Sequence, residues 1–127
     1  MTSAEPRQLA HRMHDAFNAR DVDTADEIFA PDFFSHPLQN GRAAVKAAWT
    51  AMIAAHPEAR TVVEDVLVDG DRVAMRSTVY GLSGGGDSDA DPPPATLMEI
   101  FRVAEGRIAE LWGATTMSAL PPMIVGR

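Results

Sequence analysis

The stretch PATLMEIFRVAEGRIAELWGATTM, residues 94–117, decides the fold. It predicts two long strands, Ala95–Val103 and Arg107–Met117, joined by a short turn. Glu99 stands alone in an apolar run of the first strand, and Trp112 lies near the centre of the second. We expect the two strands to form half of a curved sheet whose concave face lines a small-molecule pocket.

Two further strands precede this stretch. Thr61–Val68 is rich in β-branched residues, Asp69-Gly70 is a strong hairpin signal, and Arg72–Leu82 is predicted to return as the partner strand. Residues 83–94, rich in Gly, Asp and Pro, cannot bury apolar surface and are predicted to form a flexible loop. The tail, residues 118–127, is expected to pack loosely.

The first half of the chain has helical spacing. An amphipathic helix is predicted over residues 4–19, and a short second helix is predicted to end at Pro31. Residues 32–36 read as a short extended piece. A third helix is predicted to begin at the Asn40-Gly41 turn and to stop at His56-Pro57. Helices followed by a meander of strands predict an α+β fold in one domain, residues 1–127, with about three N-terminal helices on one face of a curved antiparallel sheet.

Composition excludes several classes of function. The net charge is −7 and the pI is near 4.9, which argues against nucleic-acid binding, because neutralising phosphates needs clustered Lys and Arg. Cysteine is absent, so thiolate catalysis and disulfides are excluded. No apolar run approaches the roughly 20 residues of a membrane span. No signal peptide is visible, and the expected location is the cytoplasm.

Metal and cofactor chemistry is not predicted. His11, His14 and Asp15 are close in sequence but give no zinc-like ligand set, and we expect them to form a solvated helix face. The glycines of residues 84–86 are not followed by the Lys and Ser/Thr of a phosphate-binding loop. Lys46 is the single lysine, so a Schiff base is possible at one position only.

Strand alternation divides each strand into two faces, but it does not say which face meets the helices. Arg76, Thr78 and Tyr80 share one face of their strand, opposite Met75 and Val79. One interpretation puts Arg76 and Glu99 in solvent. The other places them inside, facing each other across neighbouring strands.

Three groups of motifs occur in order: Phe34-Ser35-His36-Pro37 before Gly41-Arg42, the run Val68–Thr78 followed by Gly81, and the run Ile100–Trp112. On these motifs the chain resembles the SnoaL-like polyketide cyclases, within the NTF2-like superfamily that includes ketosteroid isomerase and limonene epoxide hydrolase. The resemblance covers most of residues 5–117. It implies a cone-shaped sheet, covered by helices, whose open end admits a hydrophobic ligand. It also assigns inward positions to Phe34, His36, Arg76, Thr78, Glu99, Trp112, Ala114 and Thr116.

The sequence also departs from that family. The SnoaL-like cyclases carry an acid/base aspartate a few residues after the tryptophan, whereas Trp112 is followed by residues without a carboxylate. The epoxide hydrolases have an aspartate two positions past the strand arginine, where this chain has Thr78. The family histidine expected just after Gly81 is replaced by Leu82-Ser83. Neither family mechanism can therefore be transferred whole.

The candidate catalytic residues are Glu99, Arg76 and His36. Burial would raise the pKa of an inward glutamate while a nearby arginine would lower it, and such opposition poises a general acid or base. A histidine titrates near neutrality and could shuttle a proton. The structural alternatives are an ion pair of Glu99 with Arg76 and a histidine satisfied by backbone bonds. The predicted substrate-binding residues are Phe34, Thr78, Tyr80, Trp112 and Thr116.

The first functional hypothesis is a cofactor-independent cyclase, isomerase or epoxide-processing enzyme that acts on a hydrophobic, oxygenated, polyketide-like metabolite. The second is a non-catalytic module that binds a small molecule in the same cone. The third is a dimeric scaffold. A homodimer through the outer sheet face is expected in any case, with apolar area from Met75, Val79, Met98 and Ile100.

Overall fold

The computed structural model describes residues 5–83 and 92–117. Most of the predicted loop and the whole predicted tail, residues 118–127, lie outside the described residues. A 3-10 turn, Val22–Thr24, precedes the second helix. The helices and strands are α1 (Pro6–Asn18), α2 (Ala25–Ile28), β1 (Phe29–Ser35), α3 (Arg42–Ala55), β2 (Arg60–Asp69), β3 (Arg72–Tyr80), β4 (Ala95–Ala104) and β5 (Arg107–Thr115).

The sheet contains five strands in the order β1-β5-β4-β3-β2. The four long strands pair antiparallel, and their two hairpins turn at Gly70 and Gly106, both with positive φ. β1 pairs with β5 in parallel, so the sheet is mixed rather than purely antiparallel. The predicted α+β class, with helices on one face of a curved sheet, is confirmed.

The second helix is shorter than predicted. It ends at Ile28, and Phe29 already begins β1, so Pro31 lies within a strand rather than at a helix end. β1 is an edge strand, where a residue without an N–H group is tolerated because half of the backbone groups need no partner. The extended piece predicted over residues 32–36 is the second half of this strand.

The core lies between the helices and the concave face of the sheet. Leu9 of α1, Phe29 of β1, Val73 of β3, Phe101 of β4 and Ile108 of β5 are at most 1% exposed. Burying one such side chain stabilises the fold by about 1.5–3 kcal/mol. These contacts fix α1 and the curved sheet relative to each other. None of the helices in the described ranges is both long and apolar enough to cross a membrane.

The outer face of the sheet is partly apolar. Leu67, Met98 and Ile100 are 70%, 51% and 47% exposed, whereas Met75 and Val79 are buried in the core. The assignment of Met75 and Val79 to the outer face is therefore wrong. Both alternate with Arg76 along β3, and it is the apolar set of that strand that faces the helices.

Candidate functional site

A cavity of about 660 Å³ separates the helices from part of the concave face. This volume falls within the usual range of small-molecule sites, roughly 300–1,000 Å³. Most of the lining side chains are apolar and come from α1, α3, four of the strands and the connection between β1 and α3: Met13, Phe17, Phe29, Phe33, Leu38, Val45, Trp49, Met52, Val79, Leu97 and Leu111. The cavity therefore suits a hydrophobic ligand with few polar groups.

A carboxylate and an imidazole meet in the wall of this cavity. Oε1 of Glu99, on β4, lies 3.3 Å from Nε2 of His14, on α1. The two side chains are only 12% and 6% exposed. Glu99 faces inward because it occupies the same face of β4 as the buried Phe101. The pair is thus a polar group placed in largely apolar surroundings.

The other ring nitrogen of His14 is also engaged. Nδ1 lies 2.7 Å from the hydroxyl oxygen of Thr61, at the start of β2. Thr61 is held in turn by Asn18 of α1, which accepts a hydrogen bond from the Thr61 N–H and donates one to the Thr61 carbonyl, each at 2.8 Å. Two hydrogen bonds thus clamp α1 to β2 next to the imidazole.

The prediction that His14 lies on a solvated face is wrong. His11 and Asp15 are exposed, but His14 is only 5% exposed. It follows Ala10 by four residues and precedes Phe17 by three, and both of these are buried. This spacing places His14 on the buried stripe of α1, so the helical periodicity of the sequence indicates its burial. Within residues 5–83 and 92–117, no cluster of three or more His, Asp or Glu could hold a metal ion.

Arg76 does not pair with Glu99. It lies on the outer face, where its guanidinium donates to Oδ2 of Asp65 at 2.6 and 2.9 Å. The residue opposite Glu99 on β3 is Met75. Side chains of opposed residues leave a sheet on the same face, so Met75, and not Arg76, shares the face of Glu99. The predicted pairing of Glu99 with Arg76 is therefore wrong.

Thr78 and Tyr80 share the face of Arg76, away from the helices. The hydroxyl of Thr78 donates to Glu64 at 2.8 Å, and the ring of Tyr80 lies 4.7 Å below the guanidinium of Arg60. The prediction that both contact a ligand in the cavity is wrong. The alternating apolar residues Val73, Met75 and Val79 indicate which face of β3 meets the helices.

A bulge in β5 changes which of its side chains face the cavity. Arg102 pairs with Glu110, but the next residue, Val103, pairs with Ile108, so Ala109 is the extra residue. Ile108 therefore faces the core, but the alternation reverses beyond it. As a result the residue opposite Glu99 is Gly113.

The predicted roles of Trp112 and Thr116 are corrected by this reversal. Trp112 stands opposite Ile100, on the face away from Glu99, although it still borders the cavity. Thr116 is exposed, and its hydroxyl accepts a hydrogen bond from the N–H of Thr96 at 2.8 Å, so it extends the sheet rather than lining the pocket.

His36 belongs to a second cluster, at the edge of the sheet. Its Nε2 lies 2.7 Å from Oε2 of Glu110, and its ring stacks on Trp112 with centroids 4.7 Å apart. Phe34, predicted to contact the ligand, packs edge-on against the His36 ring and is 38% exposed. His36 borders the same cavity as Glu99, but its hydrogen bond is to Glu110.

Charge neighbours act on Glu110. The hydrogen bond from His36, and after it that from Arg102, lower the pKa of the Glu110 carboxyl, against the opposing effect of burial. Arg102 Nε donates to Oε1 of Glu110 at 3.2 Å, so both oxygens of the carboxylate are engaged. Glu110 therefore fixes the orientation of the His36 ring.

Lys46 does not serve the cavity. Its ammonium lies 3.0 Å from Asp26 and 3.5 Å from Asp23 on the outer side of α3. The hydrogen bond to Asp26 raises the pKa of Lys46. A lysine that forms Schiff bases needs a lowered pKa, so the surroundings of Lys46 do not favour that chemistry.

Comparison with known proteins agrees with this architecture. A family model described as SnoaL-like domain matches residues 10–111. The structure of wild-type IdmH, a candidate polyketide cyclase from Streptomyces antibioticus, is 26% identical with a TM-score of 0.78, covering 88% of this chain and 92% of IdmH. The structure of an IdmH loop-truncation variant is 27% identical, also with a TM-score of 0.78, and covers 88% and 93%.

A third similar structure is AclR, a candidate hydroxylase from Streptomyces galilaeus, at 24% identity and a TM-score of 0.75, covering 92% of this chain and 82% of AclR. At this identity AclR supports the fold alone. No curated protein matches the chain with significance. The family match spans most of the chain and agrees with the motifs at residues 34–42, 68–81 and 100–112, so the chain belongs to the SnoaL-like domain family within the NTF2-like superfamily.

Proposed function

We propose that the protein is a cofactor-independent enzyme of the cyclase or isomerase type that acts on a hydrophobic, oxygenated, polyketide-like metabolite. The observation that carries this proposal is the Glu99–His14 pair in the wall of an apolar cavity of ligand size. The resemblance to IdmH, a candidate polyketide cyclase, supports the same class of reaction.

Glu99 is the group that contacts the substrate. Both ring nitrogens of His14 have hydrogen-bond partners, at 3.3 and 2.7 Å, so the imidazole is not free to approach a ligand. Only Oε1 of Glu99 is used by His14, and among the described residues no side chain or backbone group bonds its Oε2. Oε2 can therefore take a proton from a carbon next to a carbonyl and return it elsewhere on the substrate.

The rest of the site positions the ligand. Phe17, Phe33 and Trp49 provide apolar and aromatic surface inside the cavity, and His36 and Trp112 provide a stacked pair at its border. In this proposal His36 orients an oxygen of the ligand rather than transferring the proton. Arg76, Thr78, Tyr80 and Thr116 take no part, since their side chains have other partners away from the cavity.

The test uses the simplest reaction that this chemistry allows. Apolar 1,3-diketones of increasing size are incubated with the protein in deuterated water, and loss of the proton between the carbonyl groups is followed by NMR. We expect Glu99→Gln to slow exchange by about 10²–10⁴-fold, the usual contribution of a general base. Glu64→Gln, a matched change on the outer face, should leave exchange unchanged.

Two outcomes would contradict the enzyme assignment. Equal exchange rates in the wild type and in Glu99→Gln would show that Glu99 is not the base. Saturable binding of a diketone without faster exchange would favour the second hypothesis, a non-catalytic small-molecule-binding module.

We also propose that the chain forms a homodimer through the outer face of the sheet. Leu67, Met98 and Ile100 expose apolar area on that face, and the ion pair of Arg76 with Asp65 lies beside it. A contiguous apolar patch with a polar border is typical of a protein interface.

A further inference from the structure

We propose that Thr61 and His14 form a proton relay that loads and unloads Glu99 from solvent. The inference rests on the proposed function only in taking Glu99 as the acid/base. It concerns a separate property, namely the route by which the proton of Glu99 exchanges with water when a ligand fills the cavity.

The geometry provides a continuous path. Glu99 Oε1, His14 Nε2, His14 Nδ1 and Thr61 Oγ1 follow one another through contacts of 3.3 Å and 2.7 Å. Glu99 and His14 are nearly buried, whereas Thr61 is half-buried at the start of β2, and its neighbour Asn18 is exposed. Thr61 also borders the cavity, and the exposed Asn18 holds its N–H and carbonyl groups. The path therefore runs along the cavity wall from Glu99 to the surface beside Asn18.

The three groups match the chemistry that a relay needs. An ionised carboxylate only accepts hydrogen bonds, so Nε2 of a neutral His14 carries the proton and Nδ1 accepts from the Thr61 hydroxyl. A hydroxyl can both donate and accept, so it keeps its bond to Nδ1 when that nitrogen later carries the proton. A valine of the same shape could do neither.

One transfer step is balanced as follows. A hydronium ion gives a proton to the Thr61 oxygen as the hydroxyl gives its own proton to Nδ1, and Nε2 gives its proton to Oε1 of Glu99. One proton has entered, Glu99 is neutral, His14 has changed from the Nε2–H to the Nδ1–H tautomer, and water and a neutral Thr61 remain. The reverse sequence returns the proton to solvent. A proton that Oε2 takes from a substrate enters this path when the carboxyl group turns about its Cγ–Cδ bond and the two oxygens exchange positions.

Asn18 is a positioning residue for this relay. It holds both backbone groups of Thr61 at 2.8 Å and lies four residues after His14 on the same helix. Because one side chain ties β2 to the helix that carries the imidazole, the 2.7 Å contact is kept short while the rest of the cavity accommodates a ligand.

The experiment needs no substrate. In protein with ¹⁵N-labelled histidine, NMR measures how fast the His14 ring N–H proton exchanges with water, and a His14→Gln sample assigns its signal. We expect Thr61→Val to slow this exchange by about ten-fold or more, because the hydroxyl step is removed. Thr61→Ser should exchange at the wild-type rate, because it keeps the hydroxyl.

The ring N–H of His36, which is bound to Glu110 on the far edge of the sheet, is the internal reference and should not change. Unchanged His14 exchange in Thr61→Val, or equal slowing in Thr61→Ser, would overturn the relay. If Thr61→Val does not fold, Thr61→Ala, which also lacks the hydroxyl, is compared with Thr61→Ser in its place. Carbon–hydrogen exchange on diketones is measured separately, so failure of the proposed function and failure of the relay are distinguishable.

Discussion

Gly113 leaves the space beside Glu99 open, and filling that space should separate activity from stability. Gly113 is opposite Glu99 in the β4–β5 register and lines the cavity. A Cβ atom there would lie 3.5 Å from Cγ of Glu99 and 3.8 Å from Cδ2 of Leu111, which are ordinary contacts. Its contact of 3.3 Å with the Met98 carbonyl oxygen is tight, so the neighbour must move by a few tenths of an ångström.

The magnitudes follow from these contacts. In Gly113→Ala the tight contact opposes the gain of about 0.4–1 kcal/mol from a less flexible unfolded chain, so the free energy of unfolding should change by less than about 1 kcal/mol. In Gly113→Leu three further carbons enter an apolar cavity, which can add about 2 kcal/mol of stability at roughly 0.8 kcal/mol per carbon. The same carbons occupy the place of a substrate at Glu99, and kcat/KM should fall by about ten-fold or more.

Urea unfolding measures the first quantity, and diketone proton exchange in deuterated water measures the second. Gly41→Ala, directly before α3, is the control for the backbone contact. Its Cβ would also lie 3.3 Å from a carbonyl oxygen, namely that of Phe33 in β1. Gly41→Ala should leave exchange at the wild-type rate. If Gly113→Leu folds and keeps full activity towards the larger diketones, the substrate does not sit beside Glu99 and the site is misassigned.

Two further predictions concern the sheet edge and the outer face. The lowered pKa of Glu110 means that its stabilising effect is complete above its unfolded-state pKa and is lost as pH falls through the lower folded-state value. Thermal unfolding below about pH 4.5 should therefore depend less on pH in Glu110→Gln than in the wild type, and identical curves would contradict this. Ile100→Lys should convert the proposed dimer to a monomer in light scattering after gel filtration, whereas Ala47→Lys, at an exposed position of α3, should not. A wild-type monomer would refute the interface.

Sequence patterns located the strands well because a strand is defined by local alternation and its hairpins by Gly at positive φ. They placed Glu99 in a strand with apolar neighbours, which is where it lies. The faces were harder to predict. Arg76 was assigned inward by family resemblance, although Met75 and Val79 beside it form the more apolar set.

The partner of Glu99 could not be predicted from local sequence. His14 and Glu99 are 85 residues apart, and their contact depends on how α1 crosses the sheet. The helical spacing from Ala10 and Phe17 indicates that His14 is buried, but it does not say which strand residue the imidazole meets. Long-range packing, rather than local propensity, thus determined the chemistry of the site.

The extra residue in β5, Ala109, changes which alternate side chains of this strand face the core. Before Ala109 one parity of the strand faces the core, and after it the other parity does. If Ala109 instead paired regularly with Arg102, every later residue of β5 would shift by one position. Trp112 would then stand opposite Glu99, and its indole would close the space at the carboxylate. The bulge at Ala109 therefore determines that a glycine, and not an aromatic ring, borders the carboxylate, and with it how much room a ligand has there.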